Sequence, residues 1–553
     1  MQQRIIECVP NISEGRDRAK IDAIAAAAES VEGVRLLDID PGKATNRTVI
    51  TFVGEPEAVC EAAFRLVKKA QELIDMRGHK GEHPRFGATD VCPLVPISGV
   101  SMEECAAFAR KLGERIGKEL GIPVYLYEHA ASEEKRRNLA NNRSGEYEGL
   151  PKKLKDPAWK PDFGPAEFND SVAKSGAIAV GARNFLVAYN VNLNTTSTRR
   201  ANAIAFDVRE AGRKVKQADG SERQVPGKLM AVKGIGWYIE EYGIAQLSFN
   251  LTDITVTPVH IAFDEACKSA AERGIRVTGS ELVGLVPKQA LLDAADFYLA
   301  RQQRSLGIPE REKMKIAVKS LGLDDLGPFD PGKKVIEYML EDASRERLVR
   351  MDLKRFTEET AGESPAPGGG SVAAYVGALG AALGTMVANL SAHKRGWDDR
   401  WKEFSAWAVK GEKLRNELLF LVDEDTRAFD RIMSAMSLPK GSDEEKKARK
   451  AAITEATKGA ISTPLRTMQV CVESMDLMKA MAAEGLPASV SDAGVGALCA
   501  RAGAFGGYLN VRINCAGLDD AEFRESAMQQ AEALKAKADA LEAEVMAVTL
   551  AKV

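Results

Sequence analysis

The feature that most constrains the fold is an abrupt change of pattern near residue 351. Before Phe329, short β-branched runs such as VRLLDID and TVITFVG alternate with Ala-rich stretches of helical periodicity such as AVCEAAFRLVKKAQELI. From Met351 to Val553, strand signals nearly vanish and long patterns rich in Ala, Met, Leu, Lys and Glu take over. The pattern therefore predicts a multidomain chain in which α/β lobes precede an all-α domain.

The α/β part divides near Gly181, where GAIAVGARNFLVAYNVNLN opens a second series of strand signals. Pro and Gly then cluster between residues 327 and 332, and the charged stretch LEDASRERLVR that follows is typical of a connector. We therefore expect a first α/β subdomain over residues 1–181, a second over 182–330, a linker over 331–350 and a helical domain over 351–553.

The amino-acid composition limits the kinds of molecule that the chain is expected to bind. Of the 553 residues, 76 are basic and 79 are acidic, so the net charge of -3 offers no positive field for nucleic acid. The eight cysteines are scattered without a C-x-x-C pair, which argues against a disulfide scaffold or a structural zinc site and favours a cytoplasmic location. The N-terminus carries no pattern typical of a targeting segment. We expect small molecules and other subunits as partners.

One uncharged stretch, VAAYVGALGAALGTMVANL at residues 372–390, is just long enough to cross a membrane. Ala and Gly outnumber Leu and Ile in it, and Asn389 is polar. This composition favours a tightly packed buried helix over a membrane span, so we expect no membrane partner.

Two of the five histidines, His79 and His83, lie together in RGHKGEHPRFGATDVCP. The spacing is H-x-x-x-H, but Lys80 stands where a zinc protease has Glu, and the Gly and Pro around it indicate a loop. Metal ligation is therefore disfavoured. A loop histidine with charged neighbours such as Glu82 suits proton transfer, while a structural role for both histidines remains the alternative.

A second polar cluster lies in LLDIDPGKATNRTVITF, where Asp38 and Asp40 end an apolar strand before a Pro-Gly turn. Because the two aspartates are two residues apart, both project to one face of the strand. They either serve a site at the strand end or cap the turn. Further on, the Gly-rich stretch PDFGPAEFNDSVAKSGAIAVGAR is consistent with a loop that wraps a ligand.

In the helical half, LRNELLFLVDEDTRAFDRIMSAM has apolar residues at steps of three and four, including Val422, Phe429 and Met433. Asp425 falls inside this stripe, whereas Asp423 projects to the other side and is expected to be solvated. Burial raises the pKa of an aspartate, which suits a general acid or base. A buried structural ion pair is the alternative.

Other polar residues of this half are candidates for the same pocket. The triple glycine in APGGGSVAA lacks the G-K-[ST] ending of a phosphate loop, so a tight turn capped by Ser371 is the simpler interpretation. Asn510 and Asn514 share a helix face, and Asp492 lies on or beside another Gly-rich helix. All of these side chains could line one pocket with Asp425.

In this order, CVPNISEG, TNRTVITFVG, HKGEHPRFGATDVCP, PDFGP, VKGIGWY and GSELVGLVP resemble glutamate formimidoyltransferases. The later motifs APGGGSVAA, LVDEDTRAF, LPKGSDEEK, SDAGVGAL and GGYLNVRIN resemble formimidoyltetrahydrofolate cyclodeaminases. Together the chain is similar to the bifunctional formimidoyltransferase-cyclodeaminase family of histidine breakdown. The resemblance implies two α/β subdomains of α+β sandwich type followed by an all-α domain.

The resemblance also implies two linked reactions. The formimidoyl group of N-formimidoyl-L-glutamate passes to tetrahydrofolate, and the product then closes to 5,10-methenyltetrahydrofolate with release of ammonia. His83 matches the transferase histidine of the E-H-P-R motif and Asp425 matches the cyclodeaminase aspartate, with Asp40 or Glu82 as candidates to steady the amidinium. The folate-binding loop of the family matches Gly164, Pro165, Ala166, Glu167, Phe168, Asn169, Asp170, Ser171, Val172, Ala173, Lys174, Ser175 and Gly176.

Family members need no metal or tightly bound cofactor, use polyglutamylated tetrahydrofolate as a cosubstrate, and assemble as homo-oligomers, commonly octamers. Lys152, Lys153 and Lys155 could attract the polyglutamate tail or form a solvated cluster. Two alternatives for the helical half stay open: a methenyltetrahydrofolate cyclohydrolase, or a catalytically silent oligomerisation module.

Overall fold

The computed structural model describes residues 4–42, 46–81, 85–217, 219–340, 347–364 and 366–553. The chain forms two compact units. The α/β unit takes residues 1–291 and 321–340, and the helical unit takes residues 292–320 and 341–553. The predicted domain limits differ from this division, because residues 292–320 group with the helical unit.

The described strands are β1 Ile5–Cys8, β2 Asn11–Ile12, β3 Val34–Gly42, β4 Arg47–Gly54, β5 Thr89–Ser98, β6 Val124–Glu128, β7 Ile178–Ala182, β8 Val187–Leu193, β9 Arg213–Lys216, β10 Glu222–Val225, β11 Val232–Ile239, β12 Ile244–Leu251 and β13 Val277–Val283. The described helices of the α/β unit are α1 Arg18–Glu29, α2 Pro56–Leu73, α3 Met102–Arg115, α4 Glu134–Arg137, α5 Leu139–Asn142, α6 Glu146–Lys153, α7 Asp170–Ser175, α8 Thr198–Val208 and α9 Val259–Ala271. The later helices are α10 Lys288–Arg301, α11 Glu310–Leu321, α12 Pro331–Lys334, α13 Ile336–Leu340, α14 Leu353–Ala361, α15 Gly369–Ala392, α16 Trp401–Met436, α17 Asp443–Glu484, α18 Val490–Cys515 and α19 Ala521–Leu550.

The first sheet is mixed and contains strands β1 to β7. Both β1 and β2 lie between β4 and β5, β3 pairs with β4 at one edge, and β7 and β6 continue in parallel from β5. Ile6, Cys8 and Phe52 pack in one core with residues of α1, α2 and α3. We call the opposite side of this sheet the distal face. It carries Ile5 and Val53, which form a separate cluster with Ile336.

The second sheet is antiparallel, with the order β11-β12-β8-β13. Strand β7 belongs to the first sheet and β8 to the second, so the sheets change between Ala182 and Val187. Tyr189, Leu247 and Phe249 are buried on this sheet. Strands β9 and β10 form a small antiparallel sheet of their own. An α/β part built on two main sheets, followed by a helical part, is the predicted fold class, which is confirmed.

Small residues bring the helices of the helical unit into close contact. A Cβ at Gly380 would lie 2.7 Å from the carbonyl oxygen of Gly496, and a Cβ at Gly503 would lie 2.7 Å from that of Ala373. Since residue numbers rise along α15 while they fall along the facing stretch of α18, the two helices are antiparallel. The Ala and Gly content of the sequence is therefore used for close backbone packing.

One helix among the described residues, Gly369–Ala392, is long and apolar enough to cross a membrane by length and composition. Within the protein, 61% of its most apolar window is buried. Core helices of globular proteins meet the same criterion. This burial fits the predicted packed helix.

Candidate functional site

In the helical unit, Asp425 on α16 faces the first turn of α15. The hydroxyl of Ser371 donates to Asp425 Oδ2 at 3.2 Å, and the backbone N–H of Ser371 donates to the same carboxylate. N–H groups in the first turn of a helix have no acceptor within the helix, so an anion is stabilised there. Burial nevertheless raises the pKa of Asp425, and the hydrogen bonds from Ser371 oppose that rise. This carboxylate can therefore exchange a proton more readily than an exposed one.

Glycine at position 370 is required by the close approach of Asp425. A Cβ on Gly370 would lie only 2.1 Å from Asp425 Oδ1, whereas a Cβ on Gly369 would meet nothing nearer than Asn510 Nδ2 at 3.7 Å. The prediction that Ser371 caps a tight turn is wrong. Helix α15 already begins at Gly369 with Gly368 as its N-cap, so Ser371 is inside the helix and bonds to Asp425 instead.

The expectation that Asp423 is solvated is also wrong. Asp423 is only 6% exposed and accepts hydrogen bonds from the backbone N–H groups of Leu348 at 2.8 Å and Val349 at 3.2 Å. A helix inside a bundle is covered on several sides, so the side opposite one apolar stripe need not face water. Asp423 holds the segment before α14, and this is a structural task.

The apolar stripe around Asp425 is buried over only part of its length. Leu418 and Val422 are fully buried, but Phe429 is 43% exposed and Met433 is 51% exposed. The prediction that the stripe is inward throughout is therefore wrong beyond Asp425. The carboxylate lies where the buried part of α16 meets an exposed apolar part.

The other predicted pocket residues lie at different distances from Asp425. Asn510 lies beside Gly369, and Asn514 donates to the carbonyl of Ala460 at 2.9 Å and so ties α18 to α17. Asp492 is in the first turn of α18, about 27 Å along the helix from Asn510. The expectation that Asp492 shares the pocket is therefore wrong, because sequence proximity to a Gly-rich motif does not report position along a helix.

In the α/β unit, the predicted catalytic His83 and its neighbour Glu82 lie outside the described residues. The residues on either side of them are held firmly. Arg85 donates to the carbonyl of His79 at 3.3 Å and pairs with Glu148, while the backbone N–H of Tyr147 donates to the carbonyl of Arg85. Arg85 is therefore tied both to His79 and to helix α6.

His79 is half-buried, and one of its two ring nitrogens holds the ring in place by a hydrogen bond. Its Nε2 donates to the carbonyl of Asn46 at 2.9 Å, and its Nδ1 has no partner among the described residues. Burial lowers the pKa of His79, so the neutral imidazole is favoured. Asn46 has φ of +48°, receives the N–H of Gly15 on its Oδ1 and donates to the carbonyl of Lys80. Asn46 therefore ties three loops together beside the histidine motif.

Asp38 and Asp40 share the distal face of the first sheet, as their spacing predicted. Asp38 lies opposite Thr51 and Asp40 opposite Val49 on β4. Burial, followed by the nearby charge of Asp40, raises the pKa of Asp38. The strand continues through Gly42, so neither aspartate caps a turn at the strand end.

The predicted folate-binding loop is a mixture of exposed and buried residues. Residues 166–171 include the exposed Phe168, whose ring lies 6.4 Å from that of Tyr147, and Asn169 caps the short helix α7. Val172, Ser175 and Gly176 are buried, and Val172 packs in a core cluster. The side chains able to meet a ligand are therefore in the first half of the loop.

The idea that Lys153 attracts a polyglutamate tail is wrong. Lys153 is 8% exposed, donates to the carbonyls of Asn141, Asn142 and Ser144, and lies over the ring of Trp159 at 4.3 Å. Its ammonium group therefore donates its hydrogen bonds to the protein's own backbone and not to a ligand. Burial lowers the pKa of Lys153 to about 8. Lys152 and Lys155 are exposed and stay candidates.

Glu7 on β1 was missed by the sequence reasoning. It is a buried carboxylate on the distal face, the same face as Asp38 and Asp40. The alternation of β1 would have revealed a charged residue on a central strand, but a four-residue strand gives a weak periodic signal. Among the described residues, no group of three or more His, Cys, Asp or Glu side chains could hold a metal ion.

Comparisons with known proteins cover both units. The family model described as "Formiminotransferase domain, N-terminal subdomain" matches residues 5–183, "Formiminotransferase domain" matches 188–341, and "Formiminotransferase-cyclodeaminase" matches 352–533. A formimidoyltransferase-cyclodeaminase of Gallus gallus is 46% identical over 528 residues, covering 95% of both chains.

Two relatives match one part each. A glutamate formimidoyltransferase of Thermoplasma acidophilum is 45% identical and covers 53% of this chain and 92% of its own length. A methenyltetrahydrofolate cyclohydrolase of Methylorubrum extorquens is 41% identical and covers 36% of this chain and 97% of its own length. The resemblance to the Gallus gallus protein, by contrast, covers 95% of this chain in one alignment. The chain therefore belongs to the formimidoyltransferase-cyclodeaminase family.

Proposed function

We propose that the chain is a bifunctional folate enzyme of histidine degradation. Its α/β unit transfers the formimidoyl group from N-formimidoyl-L-glutamate to tetrahydrofolate, and its helical unit converts 5-formimidoyltetrahydrofolate to 5,10-methenyltetrahydrofolate and ammonia. The observation that carries the proposal is Asp425, a carboxylate of raised pKa held by Ser371 and enclosed by Gly370, in a chain that matches a bifunctional relative over 95% of its length.

In the transfer step, N5 of tetrahydrofolate attacks the formimidoyl carbon and the glutamate nitrogen leaves. Positive rather than negative charge develops on the amidine, so an imidazole that moves protons and nearby carboxylates are suitable groups. His83 would take the proton from N5 and return it to the leaving nitrogen. Asp40 and Glu82 remain candidates to stabilise the positive charge of the amidinium. Asp40 has Asp38 beside it on the distal face.

In the cyclisation step, N10 attacks the formimidoyl carbon and a tetrahedral carbon bearing an amino group forms. Asp425 takes the N10 proton and delivers it to that amino group, which leaves as ammonia. The raised pKa of Asp425 suits a carboxylate that must both accept and release a proton. Ser371 and Asn510 lie next to this carboxylate or to the start of α15 and stay candidates for folate contacts.

The helical unit also resembles a cyclohydrolase, so hydrolysis of methenyltetrahydrofolate is a second candidate activity. The two reactions differ in what leaves the carbon. Ammonia leaves in the first, whereas in the second water adds to the carbon, the bond from that carbon to N5 breaks and a proton is released, so the ring opens to the 10-formyl form. A silent scaffold is disfavoured, because an inward aspartate without a catalytic task would lower stability.

We further propose that the protein is a cytoplasmic homo-oligomer that uses polyglutamylated tetrahydrofolate as a soluble cosubstrate. All eight cysteines are free thiols, which fits a reducing compartment. Helix α15 has no charged residue over its 24 residues, and Leu379, Met386 and Leu390 on it are exposed. On the adjacent α18, apolar residues follow one another outward at steps of three and four: Val495, Leu498, Ala502, Phe505 and Leu509.

This two-helix face is about 27 Å long, which is the length that about 18 helical residues span. It is about 20 Å wide, so it covers roughly 540 Å², about two thirds of the roughly 800 Å² per partner of a standard-size interface. Its outward residues form apolar heptad-like stripes, and the Arg501 guanidinium beside Phe505 is paired with Asp539. The fitting occupant is therefore the same face of a second copy. Leu498→Glu should lower the mass measured by light scattering. Leu550→Glu, at an exposed position outside the face, should not. An unchanged mass for Leu498→Glu, or binding of the native protein to lipid vesicles, would contradict the assignment.

The function is tested by incubating the purified protein with formimidoylglutamate and tetrahydrofolate. Methenyltetrahydrofolate is followed by absorbance and ammonia is measured in parallel. Equal formation of both products is the expected result. Formimidoyltetrahydrofolate that accumulates without ammonia would overturn the role of Asp425. Conversion of added methenyltetrahydrofolate to the 10-formyl form would identify a cyclohydrolase.

A further inference from the structure

Glu7 stands in the middle of the first sheet and points away from its helices. Strand β1 alternates, so Ile6 and Cys8 enter the core beneath α1 to α3 while Glu7 shares the distal face with Ile5. Its direct neighbours across the sheet are Val53 on β4 and Val95 on β5. The residue is only 3% exposed. A carboxylate thus lies between two valines on a central strand.

No described residue donates a hydrogen bond to this carboxylate, and no described Lys, Arg or His nitrogen lies within 4 Å of it. The charged groups that act on it from the packed elements are Arg183, just after β7, and Glu337 on α13. Burial raises the pKa of Glu7 to about 7, Arg183 opposes the rise and Glu337 adds to it. Buried polar groups in proteins are nearly always hydrogen-bonded, and an exception calls for an explanation. Here the unpaired carboxylate lowers the stability of the folded protein, so we expect it to serve the function of the protein and not its stability.

Glu7 lies on the same sheet face as Asp38 and Asp40, of which Asp40 is a candidate residue of the transferase site. Val53, opposite Glu7, is two residues from Thr51, and Thr51 lies opposite Asp38. The Cα atoms of Glu7 and Asp38 are therefore about 12 Å apart, two strand spacings across and two residues along the sheet. On the other side, Arg183 follows Ala182, which pairs with Leu94 beside Val95. One small molecule can span this row of charges.

We propose that Glu7 is a substrate-binding residue of the transferase half, whose carboxylate accepts two parallel N–H donors from a planar group of the substrate. This inference rests on the proposed function. Two parallel donors match the two oxygens of a carboxylate, as in arginine pairs. Two substrates offer this chemistry: the amidinium of formimidoylglutamate, and the 2-amino and N3–H edge of the tetrahydropterin. Their donors supply the hydrogen bonds that the protein itself does not.

The test compares Glu7→Gln with the native full-length protein. Glutamine keeps the shape of the side chain but removes the negative charge and replaces one acceptor by a donor. We expect kcat/KM of the transferase to fall at least tenfold, with the KM of one substrate rising selectively. A higher KM for formimidoylglutamate identifies the amidinium as the partner, and a higher KM for tetrahydrofolate identifies the pterin. The cyclodeaminase rate on supplied 5-formimidoyltetrahydrofolate should not change.

A structural role predicts a different outcome. If Glu7 served stability, Glu7→Gln would lower the Tm and reduce the amount of active enzyme without a selective change in KM, and this would overturn the proposal. We expect an unchanged or higher Tm, because an unpaired buried charge is removed. Glu57→Gln, at an exposed position on α2, is the matched control and should leave both Tm and KM as they are. Glu7→Asp, which keeps the charge but withdraws it, should give an intermediate KM.

The outcomes also separate this inference from the proposed function. A native protein without transferase activity would remove the proposed function itself. A native protein with that activity, together with a Glu7→Gln variant of equal kcat/KM and equal KM for both substrates, would remove only the role of Glu7.

Discussion

The two units place their candidate site carboxylates by opposite means. In the helical unit, Asp425 is enclosed by backbone: Gly370 leaves the space, and Ser371 donates from both its N–H and its hydroxyl. In the α/β unit, Glu7 is buried among valines with no donor from any described residue. The comparison teaches that a buried carboxylate is either completed by the protein's own donors, and then has a fixed position, or left incomplete, and then can be completed by a ligand.

Asp425→Asn gives the largest expected effect. The amide cannot take a proton from N10, so ammonia release should fall by about 10²–10⁴-fold. The transferase rate should stay near that of the native protein. Parallel assays of ammonia and of formimidoyltetrahydrofolate check both statements.

The counterpart is His83→Ala, which should abolish transfer while cyclisation of supplied intermediate continues. If Asp425→Asn still released ammonia at the native rate, the helical unit would use another base. Asp425 would then not be a site carboxylate, and the comparison with Glu7 would fail.

Gly370→Ala tests whether the position of Asp425 depends on the glycine. The new methyl would overlap the carboxylate, so Asp425 must move, and we expect a 10- to 100-fold loss of cyclodeaminase rate, about 1–3 kcal/mol. Steady-state kinetics of ammonia release measure it.

Gly369→Ala is the matched control, since its methyl meets nothing nearer than 3.7 Å. It should keep most of the activity, because alanine also favours the helix. Equal losses in both variants would show that the backbone of the α15 start, rather than the space for Asp425, limits the reaction.

Glu7 should make the stability of the α/β unit depend on pH. The carboxyl of the unfolded chain has its ordinary pKa of 4.5, whereas burial raises the pKa in the folded protein to about 7, with Arg183 and Glu337 as the charged groups facing it. Between these values the unfolded state loses its proton first, so native stability falls as pH rises from about 5 to 7.5. Since one pKa unit corresponds to about 1.4 kcal/mol, the upper limit of this loss is about 3.5 kcal/mol.

Glu7→Gln removes this loss. Hydrogen exchange of the β1 segment, compared between variant and native protein at pH 5.5 and at pH 7.5, should be slower in the variant at both pH values, with the larger difference at pH 7.5. Equal protection at both pH values would mean that a donor outside the described residues completes Glu7, and the contrast with Asp425 would disappear.

Asp423→Asn gives the smallest effect on chemistry. The change weakens two hydrogen bonds from the backbone of Leu348 and Val349, so we expect the free energy of unfolding of the helical unit to fall by about 1–3 kcal/mol. The cyclodeaminase rate per folded molecule should be kept. Urea denaturation measures the loss, with Asp430→Asn at an exposed site of the same helix as control.

A stable but inactive Asp423→Asn would contradict the assignment. It would show that Asp423, two residues from Asp425, takes part in the reaction rather than in holding the segment before α14.

Much of the architecture was predictable because periodicity is a local property. The change from mixed to helical pattern near residue 351 predicted the helical part, and two residues of spacing placed Asp38 and Asp40 on one strand face. Helical phase alone did not separate Asp423 from Asp425 correctly. It describes one helix, whereas burial depends on how many neighbours surround that helix.

The sequence by itself determined the fold class, the order of the domains and the family, because these depend on local pattern and on motifs in a fixed order. Only the tertiary structure decided that Asp492 is about 27 Å from Asn510, that Lys153 is used internally, and that Glu7 lacks a donor among the described residues. The physical reason is that hydrogen-bond partners and burial come from elements far apart in the chain, such as Gly370 and Asp425, and no local pattern records their meeting.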